Sequence, residues 1–309
     1  MNISLNPTYY CNFRCDFCYL TKHQLNDRLT ISPDQLDLKL QEVVKYEPIT
    51  GIDLYGGEVG ILKDDEFFNL KNVIRKYYKG DINIITNYSM IRDWFFDDDI
   101  TLSISYDFTA REKNTIVFNN MIMSQKPLSV LILASRQVID MSVDNMISEL
   151  NLCNAITSVE IKPYSINQAN SYNVSHKDYE NFIIKWIESS ALKKFEFINE
   201  YLIQDSLDKK YNSFSDDHVY ITPTGKFAVL EFDLNDKEYF LELKTFQEYI
   251  EWTNREKTKL SPICQVCPFK GHCLTEHYRY VKDLNNSCNG YRGLLEYYER
   301  LENTTDIIS

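Results

Sequence analysis

The residues best suited to chemistry are eight cysteines, seven of which fall into two spaced groups. The first group has the spacing C-x3-C-x2-C and consists of Cys11, Cys15 and Cys18. The second has the spacing C-x2-C-x5-C-x14-C and consists of Cys264, Cys267, Cys273 and Cys288. Four thiolates can complete the ligand shell of a zinc ion or a [4Fe–4S] cluster, whereas three leave one iron of such a cluster open. A zinc ion in the first group would need a fourth ligand, and the nearest histidine is His23.

The composition limits where the protein works and what it binds. The chain has 309 residues and a net charge of −12, with 44% hydrophobic and 25% charged residues, which is ordinary for a globular protein. It has no long apolar run and no signal peptide, so we expect a cytoplasmic protein that does not enter the membrane. The negative charge argues against nucleic acid as a partner. Cysteines in a reducing compartment are more often metal ligands or catalytic groups than disulfides.

Strand-like and helix-like segments alternate in the first two thirds of the chain. We predict strands over residues 3–7, 51–55, 83–86, 101–105, 128–134 and 158–162. We predict helices after the N-cap Ser32 and over residues 66–78, 111–123 and 142–152. This α/β pattern indicates a partial (β/α)6 TIM-like barrel over residues 1–210, with its functional groups at the carboxyl ends of the strands.

The remaining residues, 211–309, are expected to form a small C-terminal domain. Helices are predicted over 178–190 and 194–207, before this domain begins. Two alternating runs, 218–222 and 226–232, surround the turn Pro223-Thr224-Gly225 and predict a β-hairpin. Loops rich in cysteine follow it.

The first cysteine group resembles the signature of radical S-adenosylmethionine (SAM) enzymes, in which the residue before the third cysteine is aromatic, as Phe17 is here. The resemblance implies a [4Fe–4S] cluster whose open iron binds SAM. The reduced cluster of this family cleaves SAM to a 5′-deoxyadenosyl radical, which abstracts hydrogen from the substrate. An external electron donor such as flavodoxin or ferredoxin is implied as well.

Three further motifs agree with this resemblance. Gly56-Gly57-Glu58 follows the second predicted strand and resembles the motif that binds the SAM amino group, with Glu58 as the negative charge. Thr86-Asn87 resembles T-N-G, except that Tyr88 replaces the glycine. Ser103, Ser105 and Asp107 end the fourth predicted strand and resemble S-x-D. Ser103 and Ser105 are expected to bind SAM, and Ser105 is expected to contact a ribose hydroxyl. Capping of the strand end is the alternative for Ser103 and Asp107.

Three single residues have two interpretations each. Arg136 follows the fifth predicted strand and is expected either to pair with the SAM carboxylate or to be solvated. Tyr164 follows the sixth strand and is expected to contact adenine or substrate, or to pack. Cys153 is interpreted as a buried structural cysteine or as a hydrogen donor to a substrate radical.

The second cysteine group resembles the SPASM/twitch extension of radical SAM enzymes, which implies a second, auxiliary [4Fe–4S] cluster. The full extension holds a further cluster, for which this chain keeps Gly225 but has Leu230 in a cysteine position, so we expect that cluster to be missing. His277 lies where another of its cysteines would stand, and is expected to ligate metal or to lie on the surface.

Enzymes with this extension most often act on peptides. The resemblance therefore implies a ribosomally synthesised precursor peptide as substrate and, as the reaction, a side-chain crosslink through a carbon–carbon or thioether bond. A leader segment would bind the barrel edge, the hairpin or a separate recognition protein. The alternatives are a peptide epimerase that uses Cys153, a small-molecule dehydrogenase, and a structural zinc-binding protein without catalysis.

Overall fold

A ten-stranded sheet is the central element of the part of the chain that the structure describes. The computed structural model describes residues 1–164, 174–213, 216–230, 240–258, 262–275 and 288–305; His277 lies outside these ranges. The strands are β1 (Asn2–Leu5), β2 (Gly51–Leu54), β3 (Ile82–Thr86), β4 (Ile100–Ser105), β5 (Leu128–Leu133), β6 (Ile156–Lys162), β7 (Glu196–Phe197), β8 (His218–Ile221), β9 (Phe227–Leu230) and β10 (Phe240–Leu243). Their order in the sheet is β10-β9-β8-β1-β2-β3-β4-β5-β6-β7.

Strands β1 to β6 run parallel and form the predicted partial barrel. Their side chains alternate between an apolar face and a more polar one, as β2 illustrates: Ile52 and Leu54 are buried, whereas Asp53 is half-buried and accepts a hydrogen bond from Asn83 at 2.8 Å. The helices between and after these strands are α1 (Pro33–Val43), α2 (Asp64–Tyr77), α3 (Asn114–Met123), α4 (Arg136–Ile139), α5 (Val143–Leu150), α6 (His176–Glu188) and α7 (Ile198–Leu207).

Local sequence explains where these helices begin. The Ser32 hydroxyl accepts a hydrogen bond from the Gln35 amide, and the Gln35 side-chain oxygen accepts one from the Ser32 amide. Helix α1 therefore starts with the predicted capping box and with Pro33 at its first position. Leu36 and Leu40 then lie on the buried face. Two predicted helices start later than expected. The segment predicted as a helix from residue 111 becomes helical at Asn114, and the one predicted from residue 194 first forms β7 and then α7.

The C-terminal strands extend the sheet of the barrel. Strand β8 pairs in parallel with β1, and β8 and β9 form the predicted antiparallel hairpin, to which β10 adds a third strand. Gly225 lies in the hairpin turn with a φ of +72°, a conformation that favours glycine. The other C-terminal helices are α8 (Phe246–Glu256), α9 (Pro262–Gln265) and α10 (Arg292–Thr305). Because one sheet crosses residue 210, the division into domains 1–210 and 211–309 stays a proposal.

In the part of the chain that the structure describes, no helix has the length and apolar character needed to cross a membrane.

Candidate functional site

The first cysteine group lies on a loop that leaves the carboxyl end of β1. The loop is closed by a bridge between Thr8 and Thr30 and by a hydrogen bond from the Cys11 amide to the carbonyl of Leu25 at 3.2 Å. The Arg14 guanidinium donates to the carbonyls of Cys11 and Phe13, both at 2.6 Å. These contacts fix the backbone on which the three thiols are carried.

The three thiols lie in a largely dehydrated environment. Burial raises the pKa of the Cys11 thiol to about 12 and that of Cys18 to about 11, and it raises the pKa of Cys15 as well. The thiols also influence one another, since Cys18 and Cys15 both act to raise the pKa of Cys11. None of them forms a disulfide. Such thiols become thiolates when they coordinate a metal.

The two glycines after β2 pack directly on the start of the cysteine loop. Gly56 has a φ of +148°, and a Cβ atom there would lie 2.7 Å from the carbonyl oxygen of Thr8. A Cβ atom on Gly57 would lie 2.3 Å from the carbonyl oxygens of both Tyr9 and Tyr10. Two backbone hydrogen bonds join the segments, from Gly57 to Thr8 at 3.0 Å and from Glu58 to Tyr10 at 2.9 Å. Glycine is therefore required here by the close approach of two backbones.

Glu58 is fully buried and connects the end of β2 to the end of β3. Its carboxylate accepts hydrogen bonds from the Gly60 amide at 2.7 Å, the Thr86 hydroxyl at 2.5 Å and the Asn87 amide at 2.7 Å. Burial raises the pKa of Glu58, although these three hydrogen bonds act in the opposite direction. Both carboxylate oxygens have partners within the protein, so the structure gives Glu58 a positioning role; its predicted contact with the SAM ammonium stays a proposal.

Asn87 extends this network to the cysteine loop. Its amide group donates to Asn12 at 2.9 Å, and its amide oxygen accepts from the Ser89 hydroxyl at 2.7 Å. The same amide nitrogen lies 4.0 Å from the sulfur of Cys11. Tyr88, at the glycine position of T-N-G, has a φ of +52°, so the backbone keeps the left-handed conformation that favours glycine there.

Arg111 is the residue at this site that the sequence reasoning missed. Its guanidinium lies 3.8 Å from the sulfur of Cys15 and 5.3 Å above the ring centroid of Phe17, the aromatic residue of the motif. Asp107 holds it with contacts of 2.8 and 2.5 Å. Burial acts to lower the pKa of Arg111, but Asp107 and Cys15 outweigh it, and the pKa is raised. The available signal was the spacing of Asp107 and Arg111, four residues apart.

The other predicted contacts of SAM lie at the carboxyl ends of β4 to β6. Ser103 is buried, and its hydroxyl donates to Asn83 at 3.0 Å, while Ser105 is half-buried at the last position of β4. Tyr164 is buried just after β6. Arg136 begins α4 and forms a 2.6 Å ion pair with Asp178. A contact between Arg136 and SAM would have to compete with this pair.

Cys153 lies away from the carboxyl ends of the strands, because it precedes β6 at that strand's amino end. It is buried, and its thiol donates to the carbonyl of Met121, the sulfur and oxygen being 3.0 Å apart. Burial raises the pKa of this thiol. This environment suits a structural cysteine, and it gives the role of a hydrogen donor no support.

The second cysteine group lies against the end of α7. Ser213 donates to the carbonyl of Cys273 at 2.7 Å, and Leu274 donates to the carbonyl of Gly290 at 3.3 Å, which brings the segment of Cys288 onto Cys273. Burial raises the pKa of Cys273, and Cys288 and Cys264 act in the same direction; Cys267 acts likewise on Cys288. The four thiols therefore share one neighbourhood. Leu230, by contrast, is buried among apolar side chains of β9 and β10.

The donor set of each group fits an iron–sulfur cluster. Cysteine thiolates are the usual ligands of such clusters, and both groups offer free cysteines that are buried or half-buried. Cys11, Cys15 and Cys18 would hold a cluster with one open iron, and Cys264, Cys267, Cys273 and Cys288 would hold a closed one. Among the described residues, no three His, Cys, Asp or Glu side chains are grouped closely enough to hold a single metal ion.

Comparisons with known proteins agree with the motifs. Residues 5–102 match the family model of the Radical SAM superfamily. No curated protein matches the chain by sequence. Among solved structures, native anSMEcpe with bound AdoMet has a TM-score of 0.68 at 16% identity over the whole of both chains. The same protein with AdoMet and Cp18Cys peptide has a TM-score of 0.63 at 16% identity, covering 100% of this chain and 99% of that one.

A third solved structure is Streptococcus suis SuiB bound to the precursor peptide SuiA. It has a TM-score of 0.60 at 14% identity, and the match covers 91% of this chain and 74% of SuiB. At such low identity the likeness to these structures concerns the fold. The family model, by contrast, covers the strands that carry the cysteine loop, the Gly-Gly-Glu turn and the end of β3. Residues 5–102 therefore match a radical SAM domain, and the likeness of the chain to the solved structures concerns its fold.

Proposed function

We propose that this protein is a radical SAM enzyme that modifies a ribosomally synthesised precursor peptide. The observation that carries the proposal is the convergence of the motif residues at the carboxyl edge of the sheet: the Asn87 backbone amide donates to the Glu58 carboxylate, and the Asn87 side-chain nitrogen lies 4.0 Å from the sulfur of Cys11. Bound by Cys11, Cys15 and Cys18 and reduced, a [4Fe–4S] cluster supplies the electron that cleaves SAM to methionine and a 5′-deoxyadenosyl radical.

The residues of this chain position the reactants. The Gly56-Gly57 backbone and Glu58 form the edge of the site at which the SAM amino group is expected to bind. Ser105, half-buried at the end of β4, is proposed to contact the ribose, and Tyr164, buried just after β6, is proposed to contact adenine or the substrate. Exclusion of water by the buried lining protects a carbon radical from side reactions.

A peptide substrate is supported by the fold. SuiB, which shares it, has been crystallised with the precursor peptide SuiA, and anSMEcpe, which also shares it, with the Cp18Cys and Kp18Cys peptides. We propose a side-chain crosslink as the product. Its formation removes two electrons and two protons from the peptide. The 5′-deoxyadenosyl radical would take one electron and one proton as a hydrogen atom, the second electron would pass to a cluster held by Cys264, Cys267, Cys273 and Cys288, and the second proton would pass to solvent. Flavodoxin or ferredoxin is proposed to reduce the first cluster, and a separate protein is a candidate for leader recognition.

Mass spectrometry of a coexpressed peptide tests this function. The probe is any short peptide found to be encoded beside the gene for this protein, coexpressed under iron-replete, anaerobic conditions. A loss of two mass units, absent with Cys11→Ala, supports crosslinking or dehydrogenation, and fragmentation then locates the bond. A mass that is unchanged in ordinary water but increased by one deuterium in heavy water would instead identify an epimerase. An unmodified peptide, despite full SAM cleavage, would refute the peptide substrate.

A further inference from the structure

The segment after β4 carries three consecutive residues that each contact the cysteine loop. Arg111 approaches the Cys15 sulfur to 3.8 Å. The Glu112 carboxylate accepts a hydrogen bond from the amide of Arg14 at 3.1 Å, and the Lys113 ammonium donates to the carbonyl of Asn12 at 3.4 Å. Lys113 adopts a left-handed φ of +53° just before α3 begins. This turn directs the three side chains onto the loop.

Arg111 differs from its neighbours because its charge is buried. Its side chain is 13% exposed and that of Asp107 is 1% exposed, so solvent screens this ion pair little. Asp107 is itself fixed, because its second oxygen accepts from the amide of Leu133 at 2.6 Å. The Asp107 carboxylate thus links the segment after β4 to the end of β5 and holds the Arg111 guanidinium next to Cys15 and Phe17. Two other cations near the loop contact its backbone instead of a cysteine sulfur: Arg14 donates to the carbonyls of Cys11 and Phe13, and Lys113 donates to that of Asn12.

We propose that Arg111, oriented by Asp107, is a positioning residue that raises the reduction potential of the cluster held by Cys11, Cys15 and Cys18. This inference rests on the proposed function, since it requires an iron–sulfur cluster at those cysteines. Uptake of one electron forms no bond and adds one negative charge. A fixed positive charge beside a ligating sulfur favours that more negative state, and net charge is one of the factors that set such potentials. The electron comes from the external one-electron donor.

Substitutions of Arg111 and of Asp107 should shift the reduction potential in opposite directions. This difference separates an electrostatic effect from damage to the loop, which would act in one direction. Replacing Arg111 by Met removes the positive charge but keeps an unbranched side chain over Phe17, so the potential should fall. Replacing Asp107 by Asn leaves the guanidinium without its counter-charge while keeping an acceptor for the Leu133 amide, so the potential should rise. Arg111→Lys keeps the charge and should shift the potential by less than half as much as Arg111→Met.

The chain provides a matched control at the other end of the same strand. Asp99, just before β4, forms an ion pair with Arg75 of α2, with contacts of 2.6 and 3.1 Å, at the end of β4 opposite to the cysteine loop. Arg75→Met therefore removes the same charge from the protein without touching the site. We expect it to leave the potential of the first cluster unchanged.

The experiment is an anaerobic redox titration of the reconstituted proteins, monitored by electron paramagnetic resonance. The first cluster is identified as the signal that is missing in Cys11→Ala, and iron content is measured beforehand. For Arg111→Met we expect at least a tenfold shift of the one-electron equilibrium toward the oxidised form, equivalent to about 59 mV. Asp107→Asn should shift it in the opposite direction.

Three results would overturn the inference. The first is an unchanged potential in Arg111→Met with normal iron content. The second is a shift in the same direction for Arg111→Met and Asp107→Asn, which would indicate a disturbed loop. The third is a loss of SAM binding at unchanged potential, which would make Arg111 a SAM ligand. Wild-type protein that binds no iron at Cys11 would instead refute the proposed function, so the two failures are distinguishable.

Discussion

Gly57→Ala should disturb the packing of the Gly-Gly-Glu turn against the cysteine loop more than a methyl group added at any other residue of that turn. The new Cβ atom would lie 2.3 Å from two backbone carbonyl oxygens, those of Tyr9 and Tyr10, and backbone atoms cannot rotate away. Overpacking of this kind costs about 1–3 kcal/mol. Separation of the segments would also break the hydrogen bonds from Gly57 to Thr8 and from Glu58 to Tyr10, each worth about 1 kcal/mol.

The expected loss in the free energy of unfolding is therefore about 3–5 kcal/mol, a large part of the total stability of a typical domain. Urea denaturation measures it, and iron content after reconstitution reports on the loop itself. Gly51→Ala is the control, because its Cβ atom would meet only the movable end of the Asn2 side chain, at 2.7 Å. If Gly57→Ala matched Gly51→Ala in both stability and iron content, the close packing of turn and loop would not matter, and the reasoning would be wrong.

Three smaller predictions concern residues around the site. Tyr88→Gly should relieve about 1–2 kcal/mol of left-handed strain but lose about 3–5 kcal/mol of buried aromatic packing, so urea denaturation should show net destabilisation. Arg136→Met should cost less than about 1 kcal/mol, because its pair with Asp178 is over one third exposed. A backbone hydrogen bond from Ser175 and the ion pair with Arg136 lower the pKa of the Asp178 carboxyl. The stabilisation by the pair is therefore present above the ordinary pKa of 3.8 and is lost as the pH falls through the lowered pKa. In Arg136→Met, NMR titration should show the pKa of Asp178 closer to 3.8. Cys153→Ala should leave 5′-deoxyadenosine formation and the deuterium content of the product unchanged, and loss of product deuterium in that variant would restore the hydrogen-donor role.

The sequence predicted the barrel because its signals are local. Alternating hydrophobicity located β1 to β6, and the Ser32 capping box located α1. The pairing of β8 with β1 joins residues more than 200 positions apart, so no local pattern encodes it. Strand β7 has two residues, too few for a periodic signal, and the surrounding helical pattern concealed it.

The sequence predicted the site residues that belong to a motif, and it missed those that only the fold brings to the site. Spacing identified the cysteines, and the departure of Tyr88 from T-N-G pointed to a position that the structure shows at positive φ. The role of Glu58 depends on partners from a second strand end, which only the fold brings together. Arg111 was hidden because its segment was interpreted as the first turn of a helix, whereas the helix begins only at Asn114 and Arg111 lies before it, beside Cys15.

The central claim is that Cys11, Cys15 and Cys18 hold a cluster that cleaves SAM, and one measurement tests it most directly. The protein is reconstituted anaerobically with iron and sulfide, reduced with dithionite in the presence of SAM, and assayed for 5′-deoxyadenosine. We expect about eight irons per chain and 5′-deoxyadenosine release in the wild type, and about four irons without release in Cys11→Ala. Release that persists in Cys11→Ala, or a wild type that binds two zinc ions and leaves SAM intact, would contradict the account.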